Sequence, residues 1–117
     1  MNSKKFNNFW LVFLNIKAKD GYIFNDLIDF DGVMDDTNYG GAWANIIIKS
    51  DDINGALALV PLGLDELNFD VVFIDKIENI NSLLEYNEIT EDVKNEVEWL
   101  SKSGYVFKIS DKLFPYT

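Results

Sequence analysis

The stretch GAWANIIIKSDDINGALALVPLGLDELNFDVVFIDKIENI, residues 41–80, decides the fold. Its opening, residues 43–49, is rich in β-branched residues and reads as a strand. Ser50, Asp51 and Asp52 follow, supplying an N-cap and acids suited to the first turn of a helix. Beyond them Ile53, Ala56, Leu57, Val60, Leu64 and Leu67 recur at helical spacing, which predicts one amphipathic helix, kinked or restarted at Pro61. FDVVFIDKI then returns to strand, with Val71, Val72, Phe73 and Ile74 apolar on both sides.

The flanks extend this strand–helix–strand unit. Residues 9–16 alternate Trp10, Val12, Leu14 and Ile16 on one side with Phe9, Leu11 and Phe13 on the other, the signature of an interior strand. A polar helix is predicted after residue 90, with Thr90 as cap, Glu91 and Asp92 in the first turn, Val93, Val97 and Leu100 as inner stripe, and Gly104 at the stop. Its acids and their neighbours, Glu85, Glu88, Glu91, Asp92, Glu96 and Glu98, read as a solvated outer face. Tyr105, Phe107 and Ile109 alternate in a last strand that ends before Pro115. The natural solution is a single α+β domain over residues 1–117. Its architecture is a two-layer sandwich in which a mostly antiparallel sheet of four or slightly more strands is covered by two helices. A long acidic loop occupies about residues 19–41, with a short strand expected around residues 22–24.

Composition narrows the chemistry. Hydrophobic residues make up 48% of the 117 and aromatics 15%, enough apolar material for one core. The chain has no Cys and no His, which removes disulfides, thiolate chemistry and every imidazole-dependent triad; no cofactor and no metal site is expected. Twenty acids against ten basic residues, all Lys, leave a net charge of −10, so direct nucleic-acid binding is not expected and a basic protein partner fits. The same charge also serves solubility. Lys4 and Lys5 precede an apolar run of only six residues, 9–14, too short for a secretory signal. No stretch has the length of a membrane span, and a cytoplasmic location is expected.

The loop carries the most conspicuous local pattern. IDFDGVMDDT, residues 28–37, resembles the first motif of the haloacid dehalogenase-like phosphatases, which implies Asp29 as nucleophile, Asp31 as acid–base and Mg²⁺ between them. That family needs a buried strand before Asp29, and here Phe24, Asn25, Asp26, Leu27 and Ile28 precede it; nor does a basic residue fall between Ser50 and Asp75 for the later motifs. A calcium loop is excluded by Val33 and Gly40, which occupy ligand positions. A small Mg²⁺-dependent phosphatase using Asp29 and Asp31 stands as an alternative, and the main readings of this stretch are a plain acidic loop or a binding loop. In the binding-loop reading the partner-contacting residues are Asp26, Asp29, Asp31, Asp35 and Asp36 with Phe30 and Tyr39. Carboxylates there provide field and specificity, and aromatics provide buried area.

The block 41–80, within the layout of residues 9–110, also looks like small bacterial immunity proteins, the antitoxin partners of contact-dependent growth inhibition and related polymorphic toxins. Those families share no short diagnostic motif, so no binding residue is carried across by position. The resemblance implies a non-enzymatic, stoichiometric inhibitor that binds one cognate toxin, a basic domain and often a nuclease, using clustered carboxylates where the toxin holds phosphates. Phe30, Tyr39 and Trp43 are candidate anchors, although Trp43 opens an apolar strand, where a core role is the more common one. A nucleic-acid mimic that inhibits a defence nuclease would share this charge and size.

Overall fold

The computed structural model describes residues 6–27, 39–110 and 113–116. Asp29, Phe30, Asp31, Asp35 and Asp36 lie outside the described residues.

Strand β1, Phe9–Ala18, runs between β2, Gly41–Lys49, and β3, Phe69–Asn79, antiparallel to both. Two short strands, β4 (Phe107–Ile109) and β5 (Phe114–Tyr116), pair one after the other along the far side of β2, so the sheet order is β3-β1-β2-β4, with β5 also pairing β2, further along the same edge. The architecture is the expected α+β one, an antiparallel sheet packed against helices, with five strands. Because side chains alternate across a strand, Val12, Leu14 and Ile16 project to the same side as their neighbours Ala42, Ala44, Ile46 and Ile48, and all seven are completely buried. Helix α2, Ile53–Glu66, lays Ala56, Val60 and Leu64 on that side and closes the main core.

Local signals set the limits of α2. Asp52 caps it, its side chain accepting from Gly55 N at 2.7 Å. Pro61 does not interrupt it. Pro61 and Leu57, whose carbonyl loses a partner to the proline, are both on the exposed side, where water can serve that carbonyl. Gly63 has a steric task. A Cβ there would stand 2.3 Å from the Phe107 ring, so the glycine lets α2 approach β4.

Among the described residues, helices cover the other side of the sheet over only part of its length. Helix α3, Ile80–Glu85, and helix α4, Glu91–Ser103, pack Ile80, Leu83, Val93, Val97 and Leu100 against Phe6, Phe9 and Ile47 in a second, smaller cluster. The predicted limits of α4 hold: Thr90 accepts from Val93 N at 3.3 Å, and Gly104 closes the helix in the left-handed conformation at φ 82°.

Three local expectations are corrected. The strand expected at residues 22–24 is absent; Phe24–Leu27 is a one-turn helix, α1, with Phe24 buried against Phe69 at a ring distance of 5.7 Å. The chain does not end its pairing before Pro115, which lies opposite Ala42 in β5. Proline is tolerated there because β5 is an edge strand. Finally, β3 is apolar on both sides yet is an edge strand with two register shifts, leaving Val72 and Phe73 each 47% exposed.

Candidate recognition surface

Beyond the reach of α3 and α4, the second side of the sheet carries a patch of aromatic residues. Pairing places Asn15 between Trp43 and Phe73, and Trp43 opposite Phe114, with Phe13 one step along β1 and Tyr116 opposite Gly41. The rings touch: Phe13 and Trp43 stack with centroids 5.2 Å apart and 13° between planes, and Phe73 meets Trp43 edge-on at 5.2 Å and 85°. Such pairs add to what area burial provides and hold one another's rotamers. The outer rings remain open to solvent, Phe73 at 47%, Phe114 at 45% and Tyr116 at 38% exposure.

Polar chemistry holds this patch in place. Asn15 is only 5% exposed, and the Tyr116 hydroxyl donates to its Oδ1 at 2.5 Å. Tyr116 reaches across β2 to do so, which the missing side chain of Gly41 permits; a Cβ there would lie 2.7 Å from the Tyr116 Oη. One tyrosine therefore ties β5 to β1 over the intervening strand, and with it Phe114. Two lysines on this side have acids as neighbours: Lys76, opposite Phe13, stands 3.5 Å from Glu78, and Lys17 is opposite Asp70 in the register.

Where the helix layer stops, a cleft of 200 Å³ separates Leu11, Asn45, Ser110 and Phe114 of the sheet side from the α3–α4 connection and the first turn of α4. Glu88, Ile89, Thr90, Asp92 and Val93 form that second wall. Two of the acids assigned to a solvated outer face, Glu88 and Asp92, thus border a recess beside the aromatic patch. Glu96 departs further from that assignment. It is 9% exposed, accepts from the Ser110 hydroxyl at 3.2 Å and lies 3.7 Å from Lys108 Nζ, which sits 5.6 Å above the Trp99 ring.

The structure separates the residues proposed from sequence. Asp26 is exposed on α1, whereas Tyr39 is half-buried against the α2-side core and is not part of the aromatic patch. Trp43 lies at the centre of the patch, between Phe13 and Phe73. Phe13, Phe73, Phe114 and Tyr116 were not singled out by sequence. Their signal was available in apolar residues on the second side of β1 and β3, and in the aromatic pair flanking Pro115. The acidic segment connects Leu27 to Tyr39 and re-enters the sheet at Gly41, the end at which Tyr116 crosses. The phosphatase motif would need a buried parallel strand leading into Asp29; residues 24–27 are helical, and every strand pairing among the described residues is antiparallel.

Among the described residues, no group of three or more Asp or Glu side chains is placed to hold a metal ion, and no helix is long and apolar enough to cross a membrane. No family model matches the chain, and neither a curated protein nor a solved structure matches it.

Proposed function

We propose that the chain is a stoichiometric protein inhibitor, an immunity protein that binds and neutralises the basic, nucleic-acid-cleaving domain of a bacterial toxin in the cytoplasm. The observation that carries this reading is the open aromatic half-face of the sheet beside carboxylates, on a chain of net charge −10. Aromatic rings held rigid by their neighbours lose little freedom on binding and bury much area, which is the composition of an interface centre. The surrounding negative charge steers a basic partner toward that centre and favours it over acidic ones.

Aromatic residues on a sheet can also stack nucleobases, but such platforms work within positively charged grooves. Here Lys76 is engaged by Glu78 and Lys17 lies opposite Asp70 in the register, so phosphates would meet carboxylates beside these lysines. A basic protein surface meets complementary charge.

The test is capture of the toxin domain from host lysate by the tagged chain, in parallel with the double variant Phe73→Asp/Phe114→Asp. Native mass spectrometry should give a one-to-one complex with a basic nuclease whose activity is lost on binding. The variant, matched for melting temperature, should retain none of it. Capture of the same nuclease by both proteins would remove the aromatic patch from the interface, and a captured partner that keeps full activity would overturn the inhibitor reading.

A further inference from the structure

We infer that the cleft between the first turn of α4 and the sheet is an anchor pocket for one lysine or arginine side chain of the partner protein, an inference that rests on the inhibitor reading above. Phe114 of the aromatic patch lines the cleft on the sheet side, and Glu88 and Asp92, both exposed, line it on the helix side. Leu11, Ile89 and Val93 give it apolar walls between these ends. A long basic side chain is apolar along its stem and charged at its tip. Entering past Phe114, it would place methylenes between Leu11 and Val93 and deliver its cation to the two carboxylates.

Size and charge select this occupant over others. At 200 Å³ the cleft lies below the ~300–1,000 Å³ of sites that enclose a cofactor or drug-sized ligand, but it has the scale of one extended side chain. An anion would face Glu88 and Asp92. A wholly apolar side chain would strip water from those carboxylates and from Asn45 without replacing its hydrogen bonds. The N-terminal end of α4 does not reverse this preference: Thr90 already takes the Val93 N–H, and two acids, Glu91 and Asp92, stand in that first turn.

The experiment titrates n-butylguanidinium, the free equivalent of an arginine side chain, into the ¹⁵N-labelled full chain at low salt, following amide shifts. Saturable shifts are expected at Asn45, Ile89, Asp92, Val93 and Phe114 with a dissociation constant on the order of 1 mM. In the Glu88→Gln/Asp92→Asn variant, which alters only exposed side chains and keeps the Thr90 cap, affinity should fall about tenfold. n-Butanol and butyrate should bind at least about tenfold more weakly than the cation. Absence of saturation at these amides, equal binding of n-butanol, or an unchanged constant in the double variant would overturn the pocket. Any of these alongside successful toxin capture would leave the inhibitor reading standing. Cation binding without toxin inhibition would have the reverse meaning, keeping a cation pocket and removing its proposed use.

Discussion

Replacing Tyr116 by Phe removes a single hydroxyl and interrogates how β5, and with it the open aromatic patch, is fixed. That hydroxyl donates to Oδ1 of Asn15 at 2.5 Å, and Asn15 is 5% exposed, so the variant leaves a buried acceptor short of a donor. An unmet buried acceptor costs roughly 1–3 kcal/mol. Tyr116 itself is 38% exposed, so water can reach part of the vacated position and the lower half of that range applies, about 1–1.5 kcal/mol. With 117 residues and an unfolding entropy of ~2.1 cal/mol/K per residue, the melting temperature should fall by about 4–6 °C. Thermal and urea unfolding followed by circular dichroism measure both quantities. The control is a double-mutant cycle with Asn15→Leu, because removing both polar partners also removes the unmet acceptor. The double variant should recover at least about half of the loss predicted from the sum of the single ones. A Tyr116→Phe protein within about 0.3 kcal/mol of the parent, or strictly additive losses, would refute the tie between β5 and β1.

Three other perturbations probe separate parts of the molecule. Gly63→Ala should destabilise by about 1–2 kcal/mol in urea unfolding, because crowding against the Phe107 ring at 2.3 Å outweighs the ~1 kcal/mol of helix propensity gained; in a Phe107→Val background the same change should instead stabilise. Lys108→Met takes the cation from beside the Glu96 carboxylate, whose side chain is 11% exposed, leaving a buried charge without a counter-charge at that side, and should cost about 2–4 kcal/mol by the same assay, most of it recovered by adding Glu96→Leu. Lys19 is hydrogen-bonded and ion-paired to Asp65, which raises its pKa above the ordinary 10.5 against a smaller opposing effect of desolvation. A raised folded-state pKa means that this contribution is fully present below pH 10.5 and is lost as pH rises through the folded value. NMR titration of the Lys19 side chain should therefore show a midpoint above 10.5 that returns toward 10.5 in Asp65→Asn.

How much was legible in the sequence depended on whether one element or several determined the answer. The strand at residues 41–49, the cap at Asp52, the helix that follows and the cap and stop of α4 at Thr90 and Gly104 all rest on patterns within a single element, and they were readable. The helix does not restart at Pro61, because proline's cost depends on which side of the helix its lost partner faces, and here that side is wet. Glu96 shows the same limit. Its sequence neighbours suggest a charged outer face, yet Val93 and Val97 on either side of it are buried, and Lys108 and Ser110 arrive from β4 and just beyond it to receive the carboxylate.

The aromatic patch was the least legible feature, since its members come from β1, β2, β3 and β5. Phe13 and Phe73 each look like half of an interior strand; only the extent of α3 and α4 determines that their side of the sheet stays open at one end. The acidic segment drew notice because its residues adjoin in sequence, and of those named there only Asp26 and Tyr39 fall within the described residues, on different surroundings. Trp43 was read as either core or anchor. It is partly both, half-buried between two rings at the centre of the patch.

The central claim, that the open aromatic side of the sheet is where the partner docks, is tested most directly by amide hydrogen exchange of the chain alone and in a one-to-one complex with the captured toxin domain. Slowed exchange is expected at residues 71–76, 88–93 and 113–116, with Leu57, Ala58 and Leu62 on the outer side of α2 unchanged. Protection on the outer side of α2, with the aromatic strands exchanging as in the free chain, would contradict it.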